Sequence, residues 1–350
     1  MTSVTVAKGS HRKATRLLVA ALVVITAASF RGLVAKLGGF GPPDLARYEL
    51  MSGVEIPNFY EQLPFFLTWT RGDGQMFMTI AADPFLEGPA RNLGSPVYRY
   101  GRAGYSWVAS LLVLGIPSLL PVGLFATNLI ATAFYAVSVV RLAEANRKAW
   151  WLLANPAIFI GVTSDTAEPF GLALVMIALL SYSPSFCVLA AGAAGLVRES
   201  FGTILGFAQH PLLAFAAAAL SAISIRVAAA GSLDQSPTQG LGSLDWPLKG
   251  YLDAIPSMEL ASAIITVCVG LAMVFTTLRS FSPGSIWSRM SWFLTGMLGL
   301  CVSSYVIDNV VNLFRALGMV PLLWVLGMVS AEPQEGGTIW RQKVDRPDSV

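Results

Sequence analysis

The run from Ala103 to Val140 contains no charged residue, and it constrains the fold more than any other feature of the sequence. A single helix over its 38 residues would be about 57 Å long. The hydrocarbon core of a bilayer is about 30 Å thick, so one straight helix does not fit within it. We therefore predict that the run breaks at Pro117 and Pro121 into two segments, near 104–120 and 122–141.

The composition of the whole chain also indicates a membrane protein. Hydrophobic residues make up 55% of it and charged residues only 12%, and its mean hydropathy is +0.63. Soluble domains carry about 25% charged residues, so this chain has too little polar surface to face water everywhere. We predict an all-α, polytopic transmembrane helix bundle with about 10 hydrophobic segments, within a range of 9–11.

The charge pattern divides the chain into three parts. Residues 1–16 are basic, and the positive-inside rule makes them a cytoplasmic tail. Residues 17–330 are predicted to form one membrane domain, with an extracytoplasmic loop at 38–102 that carries short interfacial helices and a second polar loop at 232–258. Residues 331–350 are polar and are predicted to be disordered. If every segment crossed the membrane, the basic residues at 141–148 would lie on the extracytoplasmic side, against the positive-inside rule. Either one segment, such as 150–163, is therefore re-entrant, or the number of segments is wrong by one.

The first apolar segment, residues 17–30, resembles a signal peptide. It is short for a span, which needs about 20 residues. Arg31 and Lys36 can extend it by snorkelling to the interface. Because many apolar segments follow, we predict a first transmembrane helix.

Several classes of function are not supported by the sequence. There is no basic run of the kind that tracks nucleic acid. His11 and His210 stand far apart, and no cysteine pair has the spacing of a zinc site. No phosphate-binding loop precedes a helix. The three cysteines lie in apolar segments, which is typical of buried core residues.

Ionisable residues in or beside apolar runs mark the candidate sites, because each costs on the order of 3 kcal/mol inside a bilayer. The first group is Arg71-Gly-Asp73-Gly-Gln75, whose glycines leave the Asp73 carboxylate uncovered. Such a carboxylate can accept a proton from a sugar hydroxyl or hold a divalent cation. The alternative is an ordinary Asp-Gly turn.

Two further pairs have helical spacing. Arg99 and Arg102 are three residues apart, so a helix would place both on one face, where they suit a lipid phosphate. The alternative is anchoring at the headgroups. Asp165 and Glu168 have the same spacing and would share a face if a helix began at Ser164, although capping alone also explains Asp165.

A last group lies at Arg198 and Glu199, which interrupt an apolar run. Neighbours on a helix point about 100° apart. One of them can therefore reach Asp165 or Glu168 while the other meets a substrate. The alternative is a structural ion pair between helices. Arg315, within the last apolar segment, belongs with this group.

These residues resemble a known pattern. The run DGQMFMTIAADPF from Asp73, followed by YRYGRAGY from Tyr98, resembles uncharacterised bacterial relatives of the GT-C glycosyltransferases and, more distantly, the PIG-V-like mannosyltransferases. The elements DTAEPF at 165–170, RES at 198–200 and NLFR at 312–315 resemble further parts of that pattern, in the same order. The chain departs from the pattern at Phe77 and at Ser106.

The resemblance implies an enzyme, a membrane glycosyltransferase of the bacterial plasma membrane. It would transfer mannose or another hexose or pentose from a polyprenyl-phosphate sugar donor to a glycan or lipid acceptor of the cell envelope, on the extracytoplasmic face. Asp73 and Glu168 would be catalytic, with Asp73 acting as a base or, together with Asp83, as a ligand of a divalent cation such as Mg or Mn. The remaining candidates would bind substrate: Arg71, Gln75, Arg99, Arg102, Asp165, Arg198, Glu199 and Arg315.

Two other functions fit the same residues. A transporter or flippase for a lipid-linked or anionic substrate would use the intramembrane groups as a path, so Arg198 and Glu199 would matter and Asp73 would not. A non-catalytic subunit of a cell-envelope assembly complex would use the loop 38–102 to bind a partner. No convincing inverted repeat supports the transporter.

Overall fold

A computed structural model describes residues 3–37, 73–238, 244, 246–307 and 310–331. Over these ranges the protein is helical, and its only β pairing is an isolated bridge between Leu244 and Val302. The helices are α1 Ser3–Leu37, α2 Asp73–Ala82, α3 Pro96–Tyr100, α4 Ala103–Leu112, α5 Leu120–Ala145, α6 Pro156–Ser164, α7 Glu168–Leu180, α8 Pro184–Val197, α9 Pro211–Leu233, α10 Lys249–Ala254, α11 Leu260–Arg279, α12 Ile286–Leu300, α13 Ser304–Ile307, α14 Val310–Ala316 and α15 Val320–Ala331. Short 3₁₀ segments join several of them. Residues 38–72 of the predicted loop 38–102 and residues 332–350 of the predicted tail 331–350 lie outside the described residues.

The uncharged run breaks beside its prolines, but its first helix ends earlier than the predicted segment 104–120. α4 ends at Leu112, a 3₁₀ turn covers Pro117–Leu119, and α5 begins at Leu120. α4 has only 10 residues and is therefore about 15 Å long, half of a bilayer core. It is therefore too short to cross a bilayer by itself.

Four helical stretches in the described ranges are long and apolar enough to cross a membrane: Lys13–Val34, Pro117–Glu144, Pro211–Leu233 and Leu260–Arg279. α7 and α8 are shorter apolar helices. The all-α prediction is therefore confirmed for the described residues, together with the presence of helices that suit a bilayer. A bundle of about ten spans remains a prediction.

The N-terminal helix α1 is part of the bundle and packs against α5 and α6. It begins at Ser3, so residues 3–16 of the predicted tail continue the same helix. Arg31 is fully buried, which contradicts the prediction that it snorkels to the interface. Its guanidinium donates to the carboxylate of Asp165 and to the carbonyl of Val162, and lies 4.4 Å from the ring centroid of Phe125.

The two basic segments lie at one end of the bundle. Arg16, in the first half of α1, pairs with Glu144 near the end of α5, with 2.8 Å between Nη2 and Oε2. Since Arg31, further along α1, lies against Phe125 near the start of α5, the two helices are antiparallel. The exposed basic residues at this end, here named the basic end, are Lys13, Arg141, Arg147 and Lys148.

Candidate functional site

Charged side chains from distant parts of the chain meet at a set of helix ends. Five arginines and three carboxylates form one network with an aromatic ring at its centre, here named the arginine cluster. Its members are Asp73, Tyr98, Arg99, Arg102, Glu168, Arg198, Glu199, Arg226 and Arg315. The cluster has two lobes, which share no ion pair among the described residues.

The first lobe is built on Asp73, which lies between two arginines. Its Oδ1 accepts a hydrogen bond from Nη1 of Arg99 at 2.9 Å, and its Oδ2 accepts one from Nη2 of Arg315 at 3.0 Å. Glu168 joins the same lobe, because its Oε1 accepts from Nε of Arg315 and from Nη1 of Arg198, both at 3.2 Å. Arg315 therefore connects the two carboxylates that the sequence proposes as catalytic.

Helix ends place both carboxylates. Asp73 begins α2 and Glu168 begins α7, where the partial positive charge of a helix N-terminus stabilises a carboxylate. α6 and α7 approach closely, because a Cβ atom on Gly161 would lie 2.2 Å from Cδ of Pro169. α2 is held by Phe77, which is buried among the bundle helices. The two carboxylates are therefore fixed by packing.

The second lobe surrounds Tyr98. The guanidinium carbons of Arg102 and Arg226 lie 4.2 and 5.4 Å from the centroid of its ring. Both arginines donate to Oε1 of Glu199, at 3.3 and 3.2 Å. Arg102 also donates to the hydroxyl of Tyr98. Glu199 is 39% exposed, so this lobe is open to solvent.

The cluster has a surplus of positive charge, which suits an anion. With five arginines against three carboxylates its formal charge is +2, and the nearest carboxylates leave several guanidinium donors unused. The Nε atoms of Arg99 and Arg102 are buried and make no hydrogen bond within the described ranges. Guanidinium groups match the geometry of phosphate oxygens. A phosphate group is therefore the ligand that best suits this site.

The arginines also keep the carboxylates ionised. Burial favours the neutral acid, but Arg315 and Arg99 outweigh it and lower the pKa of Asp73 to about 2. Burial likewise favours the neutral form of Glu199, but Arg102 and Arg226 outweigh it and lower the pKa of this carboxyl to about 2. Both side chains are thus anionic at neutral pH, and Asp73 is a weak base while both its arginines remain in place.

We expect acid to destabilise the wild type through Asp73. Its pKa in the folded protein is about 2 against 3.8 for the unperturbed group. A lowered pKa stabilises the fold above the unfolded value and loses that stabilisation as the pH falls through the folded one. The melting temperature in detergent, followed from pH 7 to pH 3, should therefore fall below about pH 4. The difference between wild type and Asp73→Asn should be constant above pH 5 and shrink towards pH 3; a constant difference throughout would contradict the assignment.

Three sequence predictions about this region need correction. Ser164 ends α6 rather than beginning a helix, and Asp165 follows it with a φ of 50°. Asp165 therefore faces Arg31, while Glu168 faces the cluster, so the two do not share a face. α3 ends at Tyr100, and the side chains of Arg99 and Arg102 enter different lobes.

Arg198 and Glu199 divide between the two lobes. Arg198 pairs with Glu168, as one of the alternatives proposed. Glu199 pairs with Arg102 and Arg226, where a substrate contact was predicted. Because the two residues are adjacent in the chain, their Cα atoms are about 3.8 Å apart and the lobes are contiguous.

The predicted metal ligands do not fit a divalent cation. Both oxygens of Asp73 accept hydrogen bonds from arginines. The oxygens of Asp83 accept from the backbone N–H groups of Glu87, Gly88 and Ala90, so this carboxylate closes a turn. In the part of the chain that the structure describes, no three His, Cys, Asp or Glu side chains are grouped as metal ligands. We therefore derive no step through a metal.

The remaining predicted residues are Gln75 and Arg71. Gln75 lies on α2 and is partly buried, and it forms no hydrogen bond to the described arginines of the cluster. Arg71 lies outside the described residues.

Sequence reasoning did not identify Arg226 or the role of Arg31. Arg226 is the one charged residue in α9, within an otherwise apolar helix of 23 residues. An isolated ionisable residue in a membrane segment is a signal for function, so the sequence did contain this information. Arg31 was noted but assigned to the interface.

Comparison of the chain with family models, with curated proteins and with solved structures finds no match.

Proposed function

We propose that the protein is a membrane glycosyltransferase that takes a sugar from a polyprenyl-phosphate donor and transfers it to a glycan or lipid acceptor of the cell envelope. One observation carries the proposal: Asp73, a possible base, is held by two arginines that can instead bind the donor phosphate. Transfer of a sugar from a phosphate-linked donor requires a base close to the groups that bind the phosphate. Asp73 and its two arginines are in direct contact.

The position of the cluster supports a reaction on the extracytoplasmic face. Arg31 follows Arg16 by 15 residues along α1, which is about 22 Å. Asp165, the partner of Arg31, precedes Glu168 by three residues. The cluster therefore lies well away from the basic end, which the positive-inside rule assigns to the cytoplasm.

An apolar groove supports a lipid-linked donor. It has a volume of about 160 Å³ and lies between α4, α5 and α7. Phe170, Leu174 and Ile177 of α7 line one wall, and Glu168 of the cluster begins the same helix. A prenyl chain in this groove would have its phosphate near the arginines, while the rest of the chain would continue into the bilayer.

The proposed reaction is a substitution at the anomeric carbon of the donor sugar. The donor phosphate binds Arg99 and Arg315 and so frees the carboxylate of Asp73. Because these arginines hold its pKa near 2, their diversion to phosphate raises its basicity. Asp73 then accepts the proton of an acceptor hydroxyl as the new carbon–oxygen bond forms, and the sugar–phosphate bond breaks with the electron pair remaining on the phosphate. Glu168 keeps Arg315 and Arg198 in position.

A transfer assay tests the proposal. The purified protein in nanodiscs would be given a set of radiolabelled polyprenyl-phosphate sugars and a crude envelope acceptor. We expect label to move from at least one donor to the acceptor. Translocation of the labelled lipid without transfer would instead identify a transporter or flippase, and neither activity without a co-purifying protein would favour an assembly subunit.

Arg315→Gln should disable the first lobe, because it removes ion pairs to both Asp73 and Glu168. We expect kcat/KM for the donor to fall by about a hundredfold, since hydrogen bonds to charged groups contribute about 1.5–3 kcal/mol each. Arg315→Lys, which keeps the charge but not the forked geometry, should lose less. Arg289→Gln is the control, because Arg289 is exposed and donates to the carbonyl of Ser280 away from the cluster. Equal losses in all three variants would contradict a role in donor binding.

A further inference from the structure

The second lobe has its own surplus of positive charge. In the first lobe three arginines face two carboxylates, and in the second two arginines face one. Each lobe therefore has a formal charge of +1. A single phosphodiester carries one negative charge, so the first lobe is sufficient for it and leaves the second lobe unused.

The arginines of the second lobe are held in place by their neighbours and keep unused hydrogen-bond donors. Arg102 and Arg226 both donate to the same oxygen of Glu199, which leaves other guanidinium N–H groups available. Their side chains are only 13% and 14% exposed, and the ring of Tyr98 holds both in place. The lobe is thus ordered by its own contacts and open at Glu199.

Gly101 gives Arg226 its position. A Cβ atom on Gly101 would lie 2.9 Å from Cγ and 3.0 Å from Nε of Arg226. The backbone of Gly101 has a φ of −57°, so any residue can adopt it without strain. The close approach, rather than the backbone conformation, is therefore what a side chain at this position would disturb.

The lobes are near enough to act on one ligand. Arg198 and Glu199 are neighbours in the chain and belong to different lobes. Arg102 of the second lobe also contributes to the lowering of the pKa of Asp73 in the first. Two adjacent sites of equal charge suit two adjacent phosphate groups.

We propose that Arg102 and Arg226 on Tyr98 form a second phosphate subsite, and that the substrates of this protein present two phosphate groups to the cluster. This inference rests on the proposed function and specifies its substrate class. The second phosphate belongs either to the donor, which is then a prenyl diphosphate sugar, or to a phosphorylated acceptor. In both cases the first phosphate binds Arg99 and Arg315.

Binding of short lipid probes tests the subsite. Radiolabelled farnesyl phosphate and farnesyl diphosphate would be bound to the full chain in nanodiscs, with empty nanodiscs subtracted. For Arg226→Gln we expect the affinity for farnesyl diphosphate to fall about tenfold or more, because a hydrogen-bonded charge is lost. The affinity for farnesyl phosphate should change much less, because Arg226 pairs with Glu199 of the second lobe.

Two further variants separate position from charge. Gly101→Ala keeps Arg226 but displaces it, and should reproduce the selective loss in part. Arg91→Gln is the matched control, because Arg91 is exposed and donates to the carbonyl of Ser232 on the same helix as Arg226. It should leave both affinities unchanged. If Arg226→Gln fails to fold, it will lose the binding of both probes together. Gly101→Ala then decides whether the second subsite exists.

The source of the second phosphate follows from a third probe. If Arg226→Gln weakens farnesyl diphosphate alone, the donor is the source. If glycerol phosphate binds beside saturating farnesyl phosphate and Arg226→Gln removes it, the acceptor is the source.

Equal weakening of farnesyl phosphate and diphosphate binding in a folded Arg226→Gln, or no weakening of any probe, would overturn the second subsite. If Arg315→Gln still abolishes farnesyl phosphate binding in that case, the proposed function stands; if the wild type binds no probe, both proposals fail.

Discussion

Asp73→Asn is expected to reduce sugar transfer by at least about a hundredfold, because general base catalysis contributes 10²–10⁴-fold. The amide has nearly the same shape as the carboxylate but does not accept the proton of the acceptor hydroxyl. Its loss of charge removes the anionic partner that Arg99 and Arg315 share, although Arg315 keeps its ion pair with Glu168. The donor phosphate then competes with one carboxylate fewer for these arginines.

This gives the substitution a distinctive kinetic result. We expect kcat to fall while the KM for the donor stays constant or decreases, and farnesyl phosphate should bind at least as tightly as to the wild type. Glu87→Gln is the control, since Glu87 is an exposed carboxylate a few residues beyond α2. It should retain full activity. Full activity of Asp73→Asn would remove Asp73 from the mechanism, and a rise in KM with unchanged kcat would make it a binding residue only.

Arg31→Met is expected to destabilise the protein strongly. It leaves the carboxylate of Asp165 fully buried without its cation. Breaking a buried pair in this way costs about 3–5 kcal/mol. The melting temperature of the protein in detergent should fall by roughly 5–15 °C, and the amount of folded protein in the membrane should decrease.

The chain supplies a matched control for this result. Arg16 and Glu144 also join α1 to α5, but their side chains are 27% and 32% exposed. Arg16→Met should therefore change stability by less than about 1 kcal/mol. The double variant Arg31→Met, Asp165→Asn should recover part of the loss, because asparagine also tolerates the positive φ of Asp165 and carries no charge. A loss in Arg31→Met no larger than in Arg16→Met would show that the pair does not hold α1 to the bundle.

The pair also bears on the fate of α1. Residues 17–30 resemble a cleaved signal, yet Arg31 of the same helix is buried against α5 and α6. Removal of α1 would leave Asp165 unpaired and expose Phe125 and Val162, which form one apolar cluster with Ala27. The tertiary contacts therefore favour retention of α1 as part of the domain.

Much of the secondary structure could be predicted from local sequence. Pro117 stops a helix because it lacks an N–H group and restricts the residue before it, and the uncharged run does break there. The run after Pro169 breaks between α7 and α8, where Pro184 begins the second helix. The length of α4 was not predicted, because hydropathy does not distinguish a helix that spans a bilayer from one that turns back halfway.

The sequence by itself determined that lipid surrounds many of the helices. It also determined most of the candidate site residues. Apolar content with few charges requires lipid around the helices, and the ionisable residues that remain are costly enough to indicate function wherever they occur. Asp73, Glu168, Arg99, Arg198 and Arg315 could therefore be selected before any fold was known. Arg226 satisfied the same criterion.

Only the tertiary structure decided how these residues are paired. Asp73 and Arg315 are 242 positions apart, and no local pattern specifies that they touch. Asp165 and Glu168 have the spacing of one helix face, but the positive φ of Asp165 turns the chain and sends them to different partners. Helical periodicity describes a side chain relative to its own helix, whereas an ion pair depends on how two helices pack. The division of the cluster into two lobes arises from that packing.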